Sequence, residues 1–211
     1  MSTGSDTAPG EGVIRFRWTL SAPVHAPAEV LVALRALHAA GRALGAIGRD
    51  PDRYGGLAFG NLAVRDPKSG GFWITASQRS DRPRLAPADL ARVDGVAPDG
   101  AVHARGVHPP SSEALCHAAV YAATPAGATL HGHLPPLWNA ADALGLPTTP
   151  PAAHNGTRAL ADAVAATAAQ APGGGLLAMA GHEDGILCWA ADAAAVVARL
   201  EAALAALEPS R

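Results

Sequence analysis

Hydrophobic and polar positions change period several times along the chain, and each change predicts an element. Val13 to Trp18 alternates, with Ile14, Phe16 and Trp18 on one face and Arg15 and Arg17 on the other, which is the period of a half-buried strand. Pro23 and Pro27 end it. From Ala28 the apolar positions Leu31, Leu34, Leu37, Leu44 and Ile47 recur at three, four or seven residues until Gly48, an amphipathic helix. Leu57 to Arg65 and Phe72 to Thr75 are strand-like runs joined by Pro67, Lys68, Ser69 and Gly70, and so predict an antiparallel hairpin. Residues 87–92 suit a short helix, and residues 94–109 are rich in turn formers. At Pro110, Ser111, Ser112 and Glu113 a Pro, two hydroxyl residues and an acid open an apolar run, a helix start that carries to about Thr124. Ala126 to His133 then reads as a strand cut short by Pro135 and Pro136, with a short helix over Leu137 to Leu144. Thr157 to Gln170 is helical and ends before Gly173 to Gly175. Leu176 to Ala180 and Ile186 to Trp189 form a second strand pair around Glu183, Asp184 and Gly185, before a last helix over Ala191 to Leu207. Mixed helices and antiparallel strands predict an α/β domain of the α+β type. Residues 1–12 form a loose tail ahead of one domain over 13–211.

Charge and composition narrow the partners. The 16 basic and 18 acidic residues are dispersed, with no basic stripe carrying aromatics, so a nucleic-acid partner is not expected. No apolar run reaches the roughly 20 residues of a membrane span, and the first residues do not read as a leader, so the expectation is a cytoplasmic protein with no membrane partner. Cys116 and Cys188 lie in apolar stretches without metal or redox spacing. Every basic residue is Arg except Lys68, which falls in a solvated turn, and imine-forming chemistry needs a desolvated Lys.

The nine histidines matter through their spacing. His131 and His133 stand at i and i+2 in a predicted strand, so both imidazoles share a face and one cation can bridge them. Gly132 between them leaves the opposite face bare. Zinc accepts imidazole nitrogen, and a catalytic site keeps three protein ligands and an open position. Chance His-x-His pairs do occur, but His182, after Gly181 and before an acidic turn, offers a third ligand; the plainer alternative is an exposed turn histidine. Glu113, in the first turn of its helix, suits a general base, a displaceable ligand or merely a capping acid. His117, one turn on, either orients Glu113 or packs. His25, His38, His103, His108 and His154 take no role. Gly60 with Asn61, Ser77 with Gln78, and Ser111 with Ser112 offer small residues and backbone N–H groups of the kind that bind phosphate, though each pair alone is only a turn or a cap.

Gly-Asn on a strand, Ile74-Thr75-Ala76-Ser77 at the end of the next, Pro110-Ser111-Ser112-Glu113 with His117 four residues later, then His131-x-His133 and a late His182 together resemble the class II aldolase/adducin family. The resemblance spans about residues 28–205. It implies a central, mostly antiparallel sheet between helices and a cyclic homotetramer with active sites at subunit interfaces. Family members include fuculose-phosphate and rhamnulose-phosphate aldolases, ribulose-phosphate epimerases, a methylthioribulose-phosphate dehydratase and the non-catalytic adducins. The resemblance makes His131, His133 and His182 ligands of Zn2+ or another divalent transition metal, Glu113 the acid/base, and Asn61, Ser77, Ser111 and Ser112 contacts to a phosphorylated small molecule. It implies an aldolase-type lyase acting on a small hydroxyketone or sugar phosphate through a metal-stabilised enediolate. A dehydratase, epimerase or decarboxylase on the same site, and a silent assembly module, are the alternatives. The chain departs from the family pattern at Gln78, where its sugar-phosphate aldolases have Gly, with Arg79 beside it. It departs again at Glu183, where Gly more often follows the late histidine, which raises Glu183 as a second acid. Leu207 to Arg211 also lack the Tyr that some members contribute from a neighbouring subunit.

Overall fold

The protein, described here by a computed structural model over residues 14–207, runs in chain order through β1 (Trp18–Ser21), α1 (Ala28–Ala43), β2 (Gly48–Arg49) and β3 (Ala58–Phe59). The middle of the chain forms β4 (Asn61–Arg65), β5 (Phe72–Thr75), β6 (Leu90–Val96), β7 (Val102–Gly106), α2 (Ala114–Ala123) and β8 (Ala128–His133). It closes with α3 (Pro135–Asn139), α4 (Arg158–Gln170), β9 (Gly175–Ala178), β10 (Gly185–Ala190) and α5 (Ala193–Ala205). The tail expected over residues 1–12, with residues 13 and 208–211, lies outside the described residues.

Eight strands form one sheet in the order β1-β7-β6-β5-β4-β8-β10-β9, and only the β1–β7 pair is parallel. Successive side chains leave a strand on opposite faces, so the sheet needs a cover on each side. Val30, Leu34 and Leu37 of α1, with Val196 and Leu200 of α5, cover Leu62, Leu130, Ile186 and Cys188. On the other face, Leu115 and Tyr121 of α2 and Ala161 of α4 meet Ala63, Ile74 and Val93. Leu160 and Val164 of α4 meet Leu187 and Trp189. The expected mostly antiparallel sheet between helices is therefore the architecture observed.

Several boundaries differ from the sequence expectation for physical reasons. The strand expected over Val13 to Trp18 begins only at Trp18; as an edge strand its ladder starts where β7 starts, although Ile14 and Phe16 keep their half-buried alternation. Helix α1 stops at Ala43, not at Gly48, because Gly45 takes a left-handed φ of 71°. Gly45 N–H then bonds Arg42 O and Ala46 N–H bonds Gly41 O, the Schellman arrangement. The run Leu57 to Arg65 is broken at Gly60, φ 73°, which frees Ala58–Phe59 to pair with β2. Residues 87–92 give only a 3-10 turn, Pro87–Asp89, before β6 begins. The stretch 94–109, expected to be turns, holds all of β7 and the end of β6. The short helix expected over Leu137 to Leu144 is Pro135–Asn139, both prolines lying in its first turn, where no amide proton is required.

Two features of this frame position the residues that follow. Gly132 faces the end of α1, and a Cβ there would meet Ala46 O at 2.6 Å, while His133 N–H bonds that same oxygen at 2.8 Å. Helix α2 packs on α4, and it is also tied to the sheet through His117, whose Nε2 bonds Asn61 Oδ1 on β4 and whose Nδ1 bonds Thr129 Oγ1 on β8. Complete burial holds the His117 imidazole neutral, its pKa brought down to about 3.

Two outcomes follow for stability. Gly132→Ala should destabilise the protein by about 2 kcal/mol or more in chemical denaturation, because backbone must move, whereas Gly95→Ala, whose added Cβ meets nothing within 4 Å, should change it by less than about 0.5 kcal/mol. As pH falls below 6.5 the unfolded chain protonates His117 while the folded chain does not, so stability contributed by the neutral ring is lost from there down to about 3. Between pH 6.5 and 4.5 that single group should cost about 2 to 3 kcal/mol, and His117→Gln should flatten the corresponding slope of unfolding free energy against pH.

Candidate metal centre and adjoining pocket

The alternation of β8 sends Thr129, His131 and His133 to the α2 side of the sheet and Leu130 and Gly132 to the α1 side. The third histidine arrives through the turn between β9 and β10. His182 N–H bonds Met179 O and Gly185 N–H bonds His182 O, and Gly185 is the register partner of His133. The turn thereby sets His182 over the end of the His-x-His strand. The three ring centroids lie 5.2 Å (His131–His133), 4.8 Å (His131–His182) and 4.8 Å (His133–His182) apart. One ring nitrogen from each falls within 4.8 Å of the others, and all three residues are buried.

The chemistry of this donor set fits a divalent transition metal. His131 Nδ1–H donates to Ile186 O at 2.9 Å, which fixes the tautomer and leaves the lone pair on Nε2. Three imidazoles converging in a buried site are the ligand type that zinc accepts.

Glu113 is fully buried at the N-terminal cap of α2, and the fold turns that end toward the histidines: Glu113 Oε1 stands 4.0 Å from His182 Nδ1. Oε1 also accepts the Gly156 N–H at 3.1 Å, and Oε2 accepts the Cys116 thiol at 3.1 Å. Burial first, and the neighbouring carboxylate second, push the Cys116 thiol well up, so it remains protonated and donates. Glu183 is exposed, whereas its neighbour Asp184 is buried. His117 bonds Asn61 and Thr129 rather than orienting Glu113.

The remaining singled-out residues also converge. Gly60, Asn61, Ser77, Gln78, Ser111 and Ser112 line one small polar pocket. Asn61 is the register partner of His131, and Ser111 and Ser112 lead directly into Glu113, so this pocket adjoins both the histidines and the carboxylate.

A cluster that sequence reasoning missed walls the other side. Tyr54, at a left-handed φ of 52°, sets its ring edge-on to His133 with centroids 4.4 Å apart and donates its hydroxyl to Asp184 Oδ2 at 2.8 Å. Arg53 pairs with the same carboxylate. Burial and the Asp184 acceptor push the Tyr54 hydroxyl pKa up. Two glycines after Tyr54 and the Asp184-Gly185 pair signalled turns; nothing local signalled that the two turns, 130 residues apart, meet.

Comparison with known proteins agrees with this geometry. No curated protein sequence matches the chain. An L-fuculose-1-phosphate aldolase from Thermus thermophilus is similar in structure, with a TM-score of 0.58 at 25% identity over 84% of this chain and 87% of that one. A second L-fuculose 1-phosphate aldolase superposes with a TM-score of 0.60 at 22% identity, covering 85% of this chain and 84% of its own. YgbL from Klebsiella pneumoniae, described provisionally as an aldolase/epimerase/decarboxylase, gives 0.57 at 19% identity, with 83% and 86% covered. The latter two, at lower identity, bear on the fold alone. The sequence model of the Class II Aldolase and Adducin N-terminal domain matches residues 43–208, most of the chain, and the protein belongs to that family.

Proposed function

We propose that this protein is a metal-dependent lyase of the aldolase type, making or breaking a carbon–carbon bond in a small hydroxyketone. The observation that carries the reading is the buried convergence of His131, His133 and His182 with the Glu113 carboxylate 4.0 Å from the His182 ring. A non-catalytic module has no need to bury an acid beside three imidazoles. The three histidines would hold the metal, for which zinc is the first choice. When bound, it supplies Lewis acidity, polarising the carbonyl and neighbouring hydroxyl oxygens of the hydroxyketone and stabilising the charge of an enediolate.

The chain's own residues do the rest. In the cleavage direction a hydroxyl gives up its proton to solvent water, the adjacent carbon–carbon bond breaks to release an aldehyde, and the electron pair stays with the hydroxyketone fragment, while Glu113 starts as the carboxylic acid and is reprotonated from solvent after each turnover. Glu113 then delivers a proton to that carbon, and in the synthetic direction it removes one. The Gly156 N–H and the Cys116 thiol each engage one carboxylate oxygen, so the group is held in a single orientation through both directions. Asn61, Ser77, Ser111 and Ser112 would bind the substrate's distal end, with Gly60 and Gln78 shaping the pocket around it. A cytoplasmic homotetramer is the expected form, in keeping with the family resemblance.

Elemental analysis tests the centre: purified protein should carry about one divalent metal per chain, and a His131→Ala, His133→Ala double variant should lose it. Metal retained by the double variant would overturn the assignment. With product analysis on a panel of hydroxyketones and their phosphates, Glu113→Gln should lower turnover by roughly 10² to 10⁴ while metal content and thermal stability persist. Unchanged turnover would remove Glu113 from the proton path, and products other than an aldehyde and a shorter hydroxyketone would move the reaction to elimination, epimerisation or decarboxylation.

A further inference from the structure

The polar pocket beside the histidines has Gln78 as one of its walls. Gln78 lies at φ 57°, a left-handed backbone that glycine adopts freely and a side chain does not. Its amide folds back on the neighbouring segment: Oε1 accepts the Ala58 N–H at 2.9 Å, and Nε2 donates to Ala58 O at 3.1 Å. These two bonds reproduce a strand ladder with a side chain in place of a second backbone, and they hold the amide as one wall of the pocket. On the far side, Ser77 N–H is committed to Pro109 O at 2.9 Å, and Ala76 bridges Pro110, which brings the loop carrying Gln78 against the segment carrying Ser111 and Ser112. The space left for water inside the pocket is about 10 Å³, close to what a single water requires, within about 230 Å³ of empty volume that includes open solvent. A phosphoryl group brings a phosphorus and three further oxygens, so it fits only where the wall formed by the Gln78 amide gives way.

We infer that Gln78 is a specificity residue and that the substrate is an unphosphorylated hydroxyketone, whose terminal hydroxyl is what reaches the pocket. The inference rests on the lyase reading above, and it goes further in naming the tail. Asn61 and the hydroxyls of Ser77, Ser111 and Ser112 give one hydroxyl ample donors and acceptors. Opening the pocket to a phosphoryl group requires the Gln78 amide to leave Ala58, exposing a backbone N–H and C=O that it now satisfies.

Inorganic phosphate is the direct probe. Titrated calorimetrically into the metal-loaded wild-type protein, Q78G and the double variant Q78G/S111A, it should bind Q78G at least roughly tenfold more tightly than the wild type, and Ser111→Ala should abolish that gain. The Ser111→Ala control separates binding in the pocket from binding at the metal. Q78N keeps a residue that tolerates left-handed backbone but has an amide too short to reach Ala58, and it should gain affinity in the same direction. Wild-type protein that binds phosphate, with Ser111→Ala alone weakening that binding at least roughly tenfold, would overturn the inference, and this arm needs no Gln78 variant to fold. In turnover, the ratio of kcat/KM for a hydroxyketone to that for its phosphate ester should fall by roughly tenfold or more in Q78G. A wild type that prefers the phosphate ester refutes the inference while leaving the lyase reading standing; loss of the metal site or of any Glu113 effect refutes the lyase reading while the phosphate titration still reads the pocket.

Discussion

Everything at the candidate centre depends on two backbones meeting with no side chain between them. A strand that presents two imidazoles on one face must place the intervening residue on the other, and here that face is occupied by the end of α1. The left-handed Gly45 turns the chain so that Ala46 O points at β8, where it accepts the His133 N–H at 2.8 Å. Gly132 is the residue that allows this approach, and Gly60 allows a similar one, since a Cβ at Gly60 would stand 3.0 Å from both Ala46 O and His131 O. Imidazole positions follow from the strand that carries them, so how α1 ends fixes where the His-x-His segment lies, while the strand pleat sets the spacing of its two rings. The third ring follows from the same strand, because Gly185 pairs with His133 and closes the turn that bears His182.

Glu113 is located by an independent route, and the two routes meet only in the folded chain. Its backbone belongs to the start of α2, one turn before His117, and the His117 bonds to Asn61 and Thr129 fix where that helix start lies relative to β4 and β8. Burying a carboxylate without partners is strongly unfavourable. The Gly156 amide, reached through the loop ahead of α4, and the Cys116 thiol provide the donors. A neutral His117 suits this arrangement: an imidazolium there would add a buried positive charge, with two neutral oxygen acceptors, to the same layer of the structure as the histidine cluster.

Local pattern made part of this legible. The His-x-His strand, the helix start at Pro110 to Glu113, the second strand pair and the last helix could all be read because each depends on residues close in sequence. β6 and β7 were missed because their inward positions are small or sparse, Ala91, Val93, Val102, Ala104 and Gly106, while the outward ones are charged and pair across strands, as Arg105 does with Asp94 at 2.7 Å. Such a strand looks like a loop until its neighbours are known. Whether the α2 start faced the histidines could not be read at all, since a helix joined to a strand by a few residues can present its far end to either side; the loop holding Gly156 and the sheet register decide it. The Tyr54–Asp184 contact was equally beyond reach, being a meeting of two turns.

These levels divide the work between chemistry and selection. The histidines and Glu113 sit on regular elements, β8 and the start of α2, or in a turn tied directly to the ladder, and they are buried. Apart from Asn61 at the start of β4, the groups that would read the rest of a substrate lie on the segments between elements: Gln78 after β5, Ser111 and Ser112 before α2, and Tyr54 in the loop between β2 and β3. A change there alters the walls without disturbing the strand that carries the rings. Gln78 illustrates the point, because its amide bonds Ala58, a residue of the small β2–β3 pair outside the main sheet. The pocket can therefore be reshaped at one position while the separation of His131, His133 and His182, set by β8 and the turn that pairs Gly185 with His133, stays as it is.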